Sequence, residues 1–459
     1  MGSMFRISPA LWDKIHHFAS FPQTGVSLQQ MVLFGQHPSQ GTLFKASQFL
    51  AEELPIRLAH RVRELDQLPY NLHTSQSIQK VKLWYAQSFE ELIKATPPPL
   101  SDDVRRALNE PLPSSVQLPE AIPNPSLADA VLTGSGLSGL GGMGNGDRGK
   151  EIGGNGLVRG TAPGSMANVG ADKTKMRIPL NRRYYANPKC AIDWPPEVRE
   201  YNATFTRILE RIKRRHDPTV TTVAQGVNEW KRTHNTRHIG AELQDWLDRF
   251  YMSRIGIRFL IGQHIALNTL SADKDYVGII CTNTDVRHTV SEAMDNARFV
   301  CEEHYGLVTG PPVQLICPKE LTFAYVPGHL SHICFELLKN SLRAVVERYG
   351  TEAGEKGGFP PIKVVVVEGR ERRGRRYPRS AIPLIWTYMY TTMEHAGLQE
   401  DFDATDYQAP MAGFGYGLPL SRLYARYFGG DLKLISMEGY GTDVYIHLNR
   451  LSSSREPLP

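Results

Sequence analysis

The stretch from Gly413 to Gly441, GFGYGLPLSRLYARYFGGDLKLISMEGYG, constrains this chain more than any other. Glycines at 413, 415 and 417 allow positive φ and let a ligand approach the backbone, and Leu418 to Tyr427 then reads as a helix. A glycine-rich turn feeding a helix N-terminus offers unpaired N–H groups and the positive end of a helix dipole, which together suit an anion such as phosphate. Pro419 is tolerated in the first turn, and Gly429 with Gly430 stops the helix. Leu432 to Ser436 and Val444 to Leu448 alternate as two strands joined through the Gly439 to Gly441 turn. Three alternating glycines alone fit a plain flexible loop equally well; the helix and hairpin behind them favour a nucleotide.

A second constrained stretch is LSHICFELLKNSLRAVV, residues 330 to 346. His332, Glu336 and Asn340 stand four apart and share one helix face, with Arg343 three further on, while Ile333, Leu337 and Ala344 take the other side. Such a polar seam is either the wet face of an ordinary amphipathic helix or, if buried, a set of groups that each need a partner or a ligand.

Together these passages resemble the N box and glycine-rich lid of the GHKL ATPase superfamily. The runs ELLKNSLRA, YMYTT, GFGYGLPLSRLYARYFGGDLKL and SMEGYGTD resemble the mitochondrial pyruvate dehydrogenase kinase family, of the fungal type with a glycine-rich insertion. Tyr388 to Thr392 and Met437 to Asp443 are less similar to the branched-chain ketoacid dehydrogenase kinases. The resemblance implies an α + α/β chain: an N-terminal helical bundle followed by a GHKL-type ATP-binding α/β sandwich. It implies ATP and Mg²⁺ as cofactors, with Glu336 the general base for a substrate serine, His332 tuning it, and Asn340 ligating the metal. Lys339 and Arg343 would meet phosphate charge, and the backbone of Gly413, Phe414, Gly415, Tyr416, Gly417 and Leu418 would wrap the triphosphate. Thr391, Thr392 and Thr442 would line the nucleotide side. The implied substrate is the pyruvate dehydrogenase α-subunit, the implied docking partner the lipoyl domain of the acyltransferase core, the implied assembly a homodimer, and the implied compartment the mitochondrial matrix.

The bundle supplies a second implied site, a regulatory pocket for small ketoacids. Leu54, Tyr85, Ser88, Ile212, His216, Arg254 and Arg258 match it, with Lys213 where the family commonly has Arg, which is not its bidentate equivalent. Arg254 and Arg258 lie four apart, facing a seam with His264; the plainer alternative is a solvated face paired with Asp245 and Asp248. His216-Asp217-Pro218 invites comparison with phospho-accepting histidines, but Asp217 stands where those kinases usually have Glu, and no Leu-Arg follows.

The expected domains are a bundle over 1–95 and 186–272, a disordered glycine-rich insertion over 96–185, a kinase domain over 273–450 and a tail over 451–459. Residues 134 to 170 hold fourteen of the forty glycines and no aromatic residue, a composition that cannot nucleate packing. The GSGLSG at 134–139 matches a dinucleotide fingerprint, yet no strand–helix–strand unit frames it. Within the later part, Tyr276 to Cys281, Val313 to Cys317, Tyr325 to Pro327 and Ile362 to Val367 read as strands, and Thr289 to Gly306 as a helix, an order suited to helices layered on one mixed sheet.

Charge and cysteine usage exclude other classes. The net charge is +5, and residues 370 to 379 alone hold six Arg against one Glu, so the remainder is balanced and a nucleic-acid surface has little support. No apolar run reaches a membrane span. The five cysteines are odd in number and scattered, unlike a zinc site or a secreted disulfide framework. Residues 1–25 hold only Arg6 and Lys14 as strong bases, so no clear presequence is read. One departure from the family is conspicuous. Where its Asp-x-Gly-x-Gly loop should present a carboxylate to adenine, this chain has GRERRGRRYPRSAIPL and no Asp from Ile362 to Thr392. Two readings follow: an impaired kinase that only binds lipoyl domains, or a segment altered locally, as at a splice boundary. The SSSREPLP terminus also lacks the family's Asp-Trp element, which leaves a tail-swapped dimer without its usual contact.

Overall fold

The computed structural model describes residues 5–108, 121–122, 124, 194–236, 239–270, 273–355, 358–369, 386–389, 415–437, 440–450 and 453–458. Helix starts follow local chemistry. Ser8 caps α1 (Pro9–Phe18) by accepting from the Leu11 N–H, with Pro9 in the first turn. Reciprocal capping boxes, Ser27 with Gln30 and Ser39 with Thr42, open α2 (Leu28–Gly35) and α3 (Gln40–Asp66). The bundle continues with α4 (Gln76–Lys94), α6 (Pro196–His216), α7 (Thr219–Thr233) and α8 (Ala241–Thr269), after the short α5 (Asp102–Leu108). α8 is buried along most of its length, from Leu243 to Ala266, and packs on α3 and α6 on one side and on the later catalytic elements on the other. Its buried polar side chains, among them Arg254, Gln263 and His264, therefore need partners inside the molecule.

Helix α5 corrects one boundary. It lies within the stretch expected to be unpacked from residue 96, yet Val104, Ala107 and Leu108 are buried, so the packed chain runs on to Leu108. The glycine-rich residues 134 to 170 lie outside the described residues.

The later half combines helices with small sheets. Strands β1 (Tyr276–Val277), β2 (Ile280–Asp285) and β4 (Thr322–Tyr325) form an antiparallel set in the order β1-β2-β4. β3 (Val313–Ile316) runs parallel to β5 (Ile362–Val365), with Val313 opposite Ile362. β6 (Asp431–Met437) and β7 (Gly441–His447) form a hairpin. α9 (Val286–Tyr305) and α10 (Pro327–Tyr349) pack together above these strands. The tiny α11 (Glu352–Glu355) precedes β5, and α12 (Gly417–Tyr427) precedes the hairpin.

Three expectations change. Tyr276 to Cys281 is not one strand, because Gly278 takes φ +63° and turns the chain into a hairpin. Gln263 of α8 closes that turn, donating to the Val277 carbonyl and accepting from the Ile279 N–H, both at 2.9 Å. Tyr325 ends a strand that begins at Thr322, and Pro327 opens α10, where its missing N–H costs nothing. Among the described residues the strands form three separate small sheets rather than one mixed sheet.

Candidate functional site

The catalytic helix expected from the sequence is α10, and its polar seam is not a wet face. Glu336 is 7% exposed and Lys339 2%. The Lys339 Nζ donates to Glu336 Oε1 at 2.7 Å and lies over the Phe335 ring. Two opposite charges buried this deeply stabilise only when paired this closely. His332 and Asn340 are half-buried on the same face, whereas Ala344, expected inside, is exposed. Arg343 turns to Glu347, one turn along, with Nε to Oε1 at 2.7 Å.

α12 lies along α10. Ile333 and Leu337 of α10 pack against Ala425 of α12 and Leu432 of β6, with Leu418 at the edge. The two ends of this contact hold the polar side chains. At one end Gly417 faces Glu336 so closely that a Cβ at 417 would run into the carboxylate. At the other the Tyr424 ring packs on His332 and His329, with centroids 4.9 and 4.7 Å away. The first turn of α12 thus approaches the Glu336 carboxylate of α10. Gly415 takes φ +75°, the conformation that the glycine-rich turn requires.

Tyr416 anchors this turn to the bundle. It is 5% exposed and meets Tyr251 of α8 edge-on at 5.7 Å and Tyr388 at 5.1 Å. Tyr388, from the YMYTT run, donates its hydroxyl to Asp248 at 2.6 Å. Gln244 accepts from the Tyr388 N–H at 2.8 Å and donates to its carbonyl at 3.4 Å. Burial raises the Asp248 carboxyl, against the Tyr388 bond and the nearby Arg426 and Arg422. Asp248 is therefore a ligand of the catalytic half, not the partner of Arg254 and Arg258. Thr442 stands exposed on β7 and donates to Ser436 Oγ at 3.0 Å across the hairpin. Thr391, Thr392, Gly413 and Phe414 lie outside the described residues.

The second set of residues converges inside the bundle. The rings of Tyr85 and His216 stack at 4.3 Å and 17°. Ser88 Oγ lies 3.0 Å from His216 Nε2 and accepts from Arg215 at 2.8 Å. Leu54 and Ile212 are fully buried, and Arg254 is 4% exposed. Arg258 pairs with Asp217 at 2.6 Å, and Arg254 Nη2 donates to the Asp217 carbonyl at 3.4 Å. Desolvation first, then the Arg215, Arg254 and Arg258 charges, push the His216 imidazole down to about 3. A buried, neutral, stacked imidazole is unlike a phospho-accepting histidine. Burial raises Tyr85, opposed by Arg254, Arg61 and Arg258. His264 does not share this seam: its Nε2 meets Ser47 and Asn268 instead.

Sequence reasoning missed Arg215 and Asp217 as the groups that hold this cluster, although Asp217 directly follows His216. It also missed the roles of Tyr424 and Asp248, whose partners are remote in sequence. Away from both clusters, an apolar pocket opens between α2, α3 and α8, lined by Met31, Phe34, Phe49, Leu50, Leu260 and Leu267 among others. Among the described residues no group of three or more His, Cys, Asp or Glu side chains could hold a metal ion. No described helix is long and apolar enough to cross a membrane.

Known proteins resemble this chain over nearly its whole length. A family model described as mitochondrial branched-chain alpha-ketoacid dehydrogenase kinase matches residues 25–281. The chain is 40% identical over 465 residues to the mitochondrial pyruvate dehydrogenase (acetyl-transferring) kinase of Schizosaccharomyces pombe, covering 98% of this chain and 99% of the relative. It is 35% identical to the corresponding kinase of Arabidopsis thaliana, over 98% of this chain and 97% of that one. With human isozyme 3 it shares 31% over 97% of this chain and 88% of the relative. The chain belongs to the mitochondrial pyruvate and branched-chain ketoacid dehydrogenase kinase family.

Proposed function

We propose that this chain is a mitochondrial protein-serine kinase that phosphorylates the α-subunit of pyruvate dehydrogenase with Mg-ATP, and so inactivates that complex. The observation that carries the reading is the buried Glu336–Lys339 pair facing the first turn of α12, within a chain similar over almost its whole length to kinases of that name. The match to the branched-chain kinase family model spans residues 25–281, which is chiefly the bundle, whereas the full-length relatives are pyruvate dehydrogenase kinases. The substrate is therefore assigned to the pyruvate complex. The same full-length similarity, with an intact Glu336, speaks against a protein that only docks.

Glu336 is placed to accept the proton of the substrate serine hydroxyl as it attacks, and burial with one cationic partner keeps its carboxylate oriented. The Lys339 ammonium holds that carboxylate and adds positive charge beside the transferred phosphoryl group. The N–H groups at the start of α12 suit the phosphates. Asn340, half-buried one turn beyond Glu336, offers the hard amide oxygen that Mg²⁺ prefers, and the metal's other ligands would come from phosphate and water. When bound, Mg²⁺ neutralises phosphate charge; the residues here position and deprotonate. This reading takes α10 as the N box and α12 as the lid helix of a GHKL arrangement. In the bundle, the cationic lining of Arg254 and Arg258 next to Tyr85, Ser88 and His216 suits a small ketoacid carboxylate. The apolar pocket between α2, α3 and α8 suits the thin hydrocarbon arm of a lipoyl domain. A homodimer completes the reading.

The test is phosphate transfer from ATP to purified pyruvate dehydrogenase and branched-chain ketoacid dehydrogenase complexes in parallel. Phosphoserine on the pyruvate dehydrogenase α-subunit, with loss of its activity, is expected. Phosphate on the branched-chain α-subunit instead would reassign the substrate.

A further inference from the structure

Residues 453–458 leave the catalytic half and return to the bundle. Ser454 and Arg455 form β-bridges with Ile122 and Ser27. The Arg455 N–H donates to the Ile122 carbonyl at 2.7 Å, and the Glu456 N–H to the Val26 carbonyl at 2.9 Å. These bonds deliver the Glu456 side chain, with the residue 2% exposed, to the point where α3, α8 and α12 meet. Both terminal nitrogens of Arg57 donate to its carboxylate, Nη1 to Oε2 at 3.0 Å and Nη2 to Oε1. The Tyr427 hydroxyl donates to Oε2, and the Val26 N–H to Oε1 at 3.1 Å. Arg57, 1% exposed, also donates to Glu53 at 2.8 Å and to the Thr24 carbonyl at 2.7 Å.

Two glycines make room for this contact. A Cβ at Gly256 of α8 would lie 2.9 Å from Glu456 Oε2, 3.0 Å from Arg57 Nη1 and 3.1 Å from the Tyr427 hydroxyl. Gly429, just past α12 at φ +82°, would place a Cβ 2.7 Å from Ser454 Oγ. Beside them Asn124 donates to the Arg426 carbonyl at 3.2 Å, fastening the same end of α12.

We propose that residues 453–458 act as an internal strap that fixes α12 on the helical bundle, with Glu456 as a positioning residue that acts on the ATP site through Tyr427. An arginine buried as deeply as Arg57 is costly without its carboxylates. Glu456 reaches it only when the strap is seated, and the seated carboxylate also receives the Tyr427 hydroxyl at the end of the lid helix. Completion of the bundle and placement of α12 are thereby one event. The consequence for ATP rests on the reading of α12 as the lid helix; the strap itself does not.

The experiment measures hydrogen exchange of amides 417–427, together with kcat and KM for ATP, in Y427F, E456Q and the double variant R57M/E456M. Y427F removes one donor and leaves the Arg57–Glu456 pair in place. Exchange across 417–427 roughly tenfold faster or more is expected, because the lost bond is to a charged group, with KM for ATP raised and the thermal midpoint close to wild type. R57M/E456M replaces the ion pair by apolar side chains and is expected to regain the midpoint lost in E456Q without regaining protection of 417–427. Wild-type exchange and KM in Y427F, or recovery of both in the double variant, would overturn the proposal and reduce the strap to a staple. Exchange is read without turnover, so a chain that transferred no phosphate would refute the kinase reading while the strap was still decided.

Discussion

Glu336 is the residue on which the site turns, because its carboxylate is buried, paired with Lys339 and faced by Gly417. E336Q keeps an acceptor for the Lys339 ammonium but removes the proposed base. A fall in kcat of about 10²- to 10⁴-fold is expected, with Mg-ATP affinity retained, as checked by transfer assays and calorimetry. G417A tests the approach of the two helices: a methyl group there meets the carboxylate, and a displacement of that kind costs about 10²-fold in kcat with the bundle intact by circular dichroism. His216 makes a statement about pH. Its folded pKa, near 3, lies below the ordinary value, so the unfolded chain takes up the proton first. Its contribution to stability is complete above about pH 6.5 and is lost as pH falls toward 3. Denaturant midpoints between pH 7 and 4 should therefore fall less steeply in H216N than in the parent; equal slopes would contradict this. These residues differed in legibility. The spacing of four put Glu336, Asn340 and His332 on one helix face and the family resemblance alone gave them roles, whereas the Lys339 partner and the Gly417 approach need three-dimensional placement. Arg254 and Arg258 were found, but their acid was not: Asp217 is a neighbour in space, while Asp245 and Asp248 are neighbours only in sequence.

Elements were more legible than residues wherever end signals are local. Pro196, Ser27 and Ser39 stand at helix starts that local chemistry explains. S27A and S39A are each expected to lower unfolding free energy by about 1 kcal/mol in urea titrations. The α10–α12 contact is stabilised by burial, and L337A, which empties part of it, is expected to cost about 2–5 kcal/mol. Strands were read less well for a physical reason. Gly278 splits one apolar run into a hairpin through its left-handed backbone, and Gln263 of a distant helix secures the turn, so the run itself carries no sign of the break. α5 was missed because a short helix in a Pro- and Gly-rich neighbourhood owes its order to the core it packs against, not to its own propensity.

At the scale of the molecule, α8 unites the two halves. Along one helix it presents Arg254 and Arg258 to the Tyr85–His216 cluster, Asp248 and Tyr251 to Tyr388 and Tyr416, and Gly256 to the Glu456 strap. That a helical first part gives way to mixed helices and strands was legible from periodicity. The contact that ties them, Glu456 to Arg57, spans 399 positions and leaves no local trace. The Arg-dense segment at 370–379 replaces the family's adenine-reading carboxylate, and it bears directly on the central claim that α10 and α12 form a working ATP site. Calorimetry of Mg-ATP on this chain, beside a version with an Asp-x-Gly-x-Gly segment restored at 370 to 378, tests that claim most directly. Micromolar binding by the chain as it stands is expected. No binding here, with binding in the restored version, would contradict it and leave the fold with an inactive site.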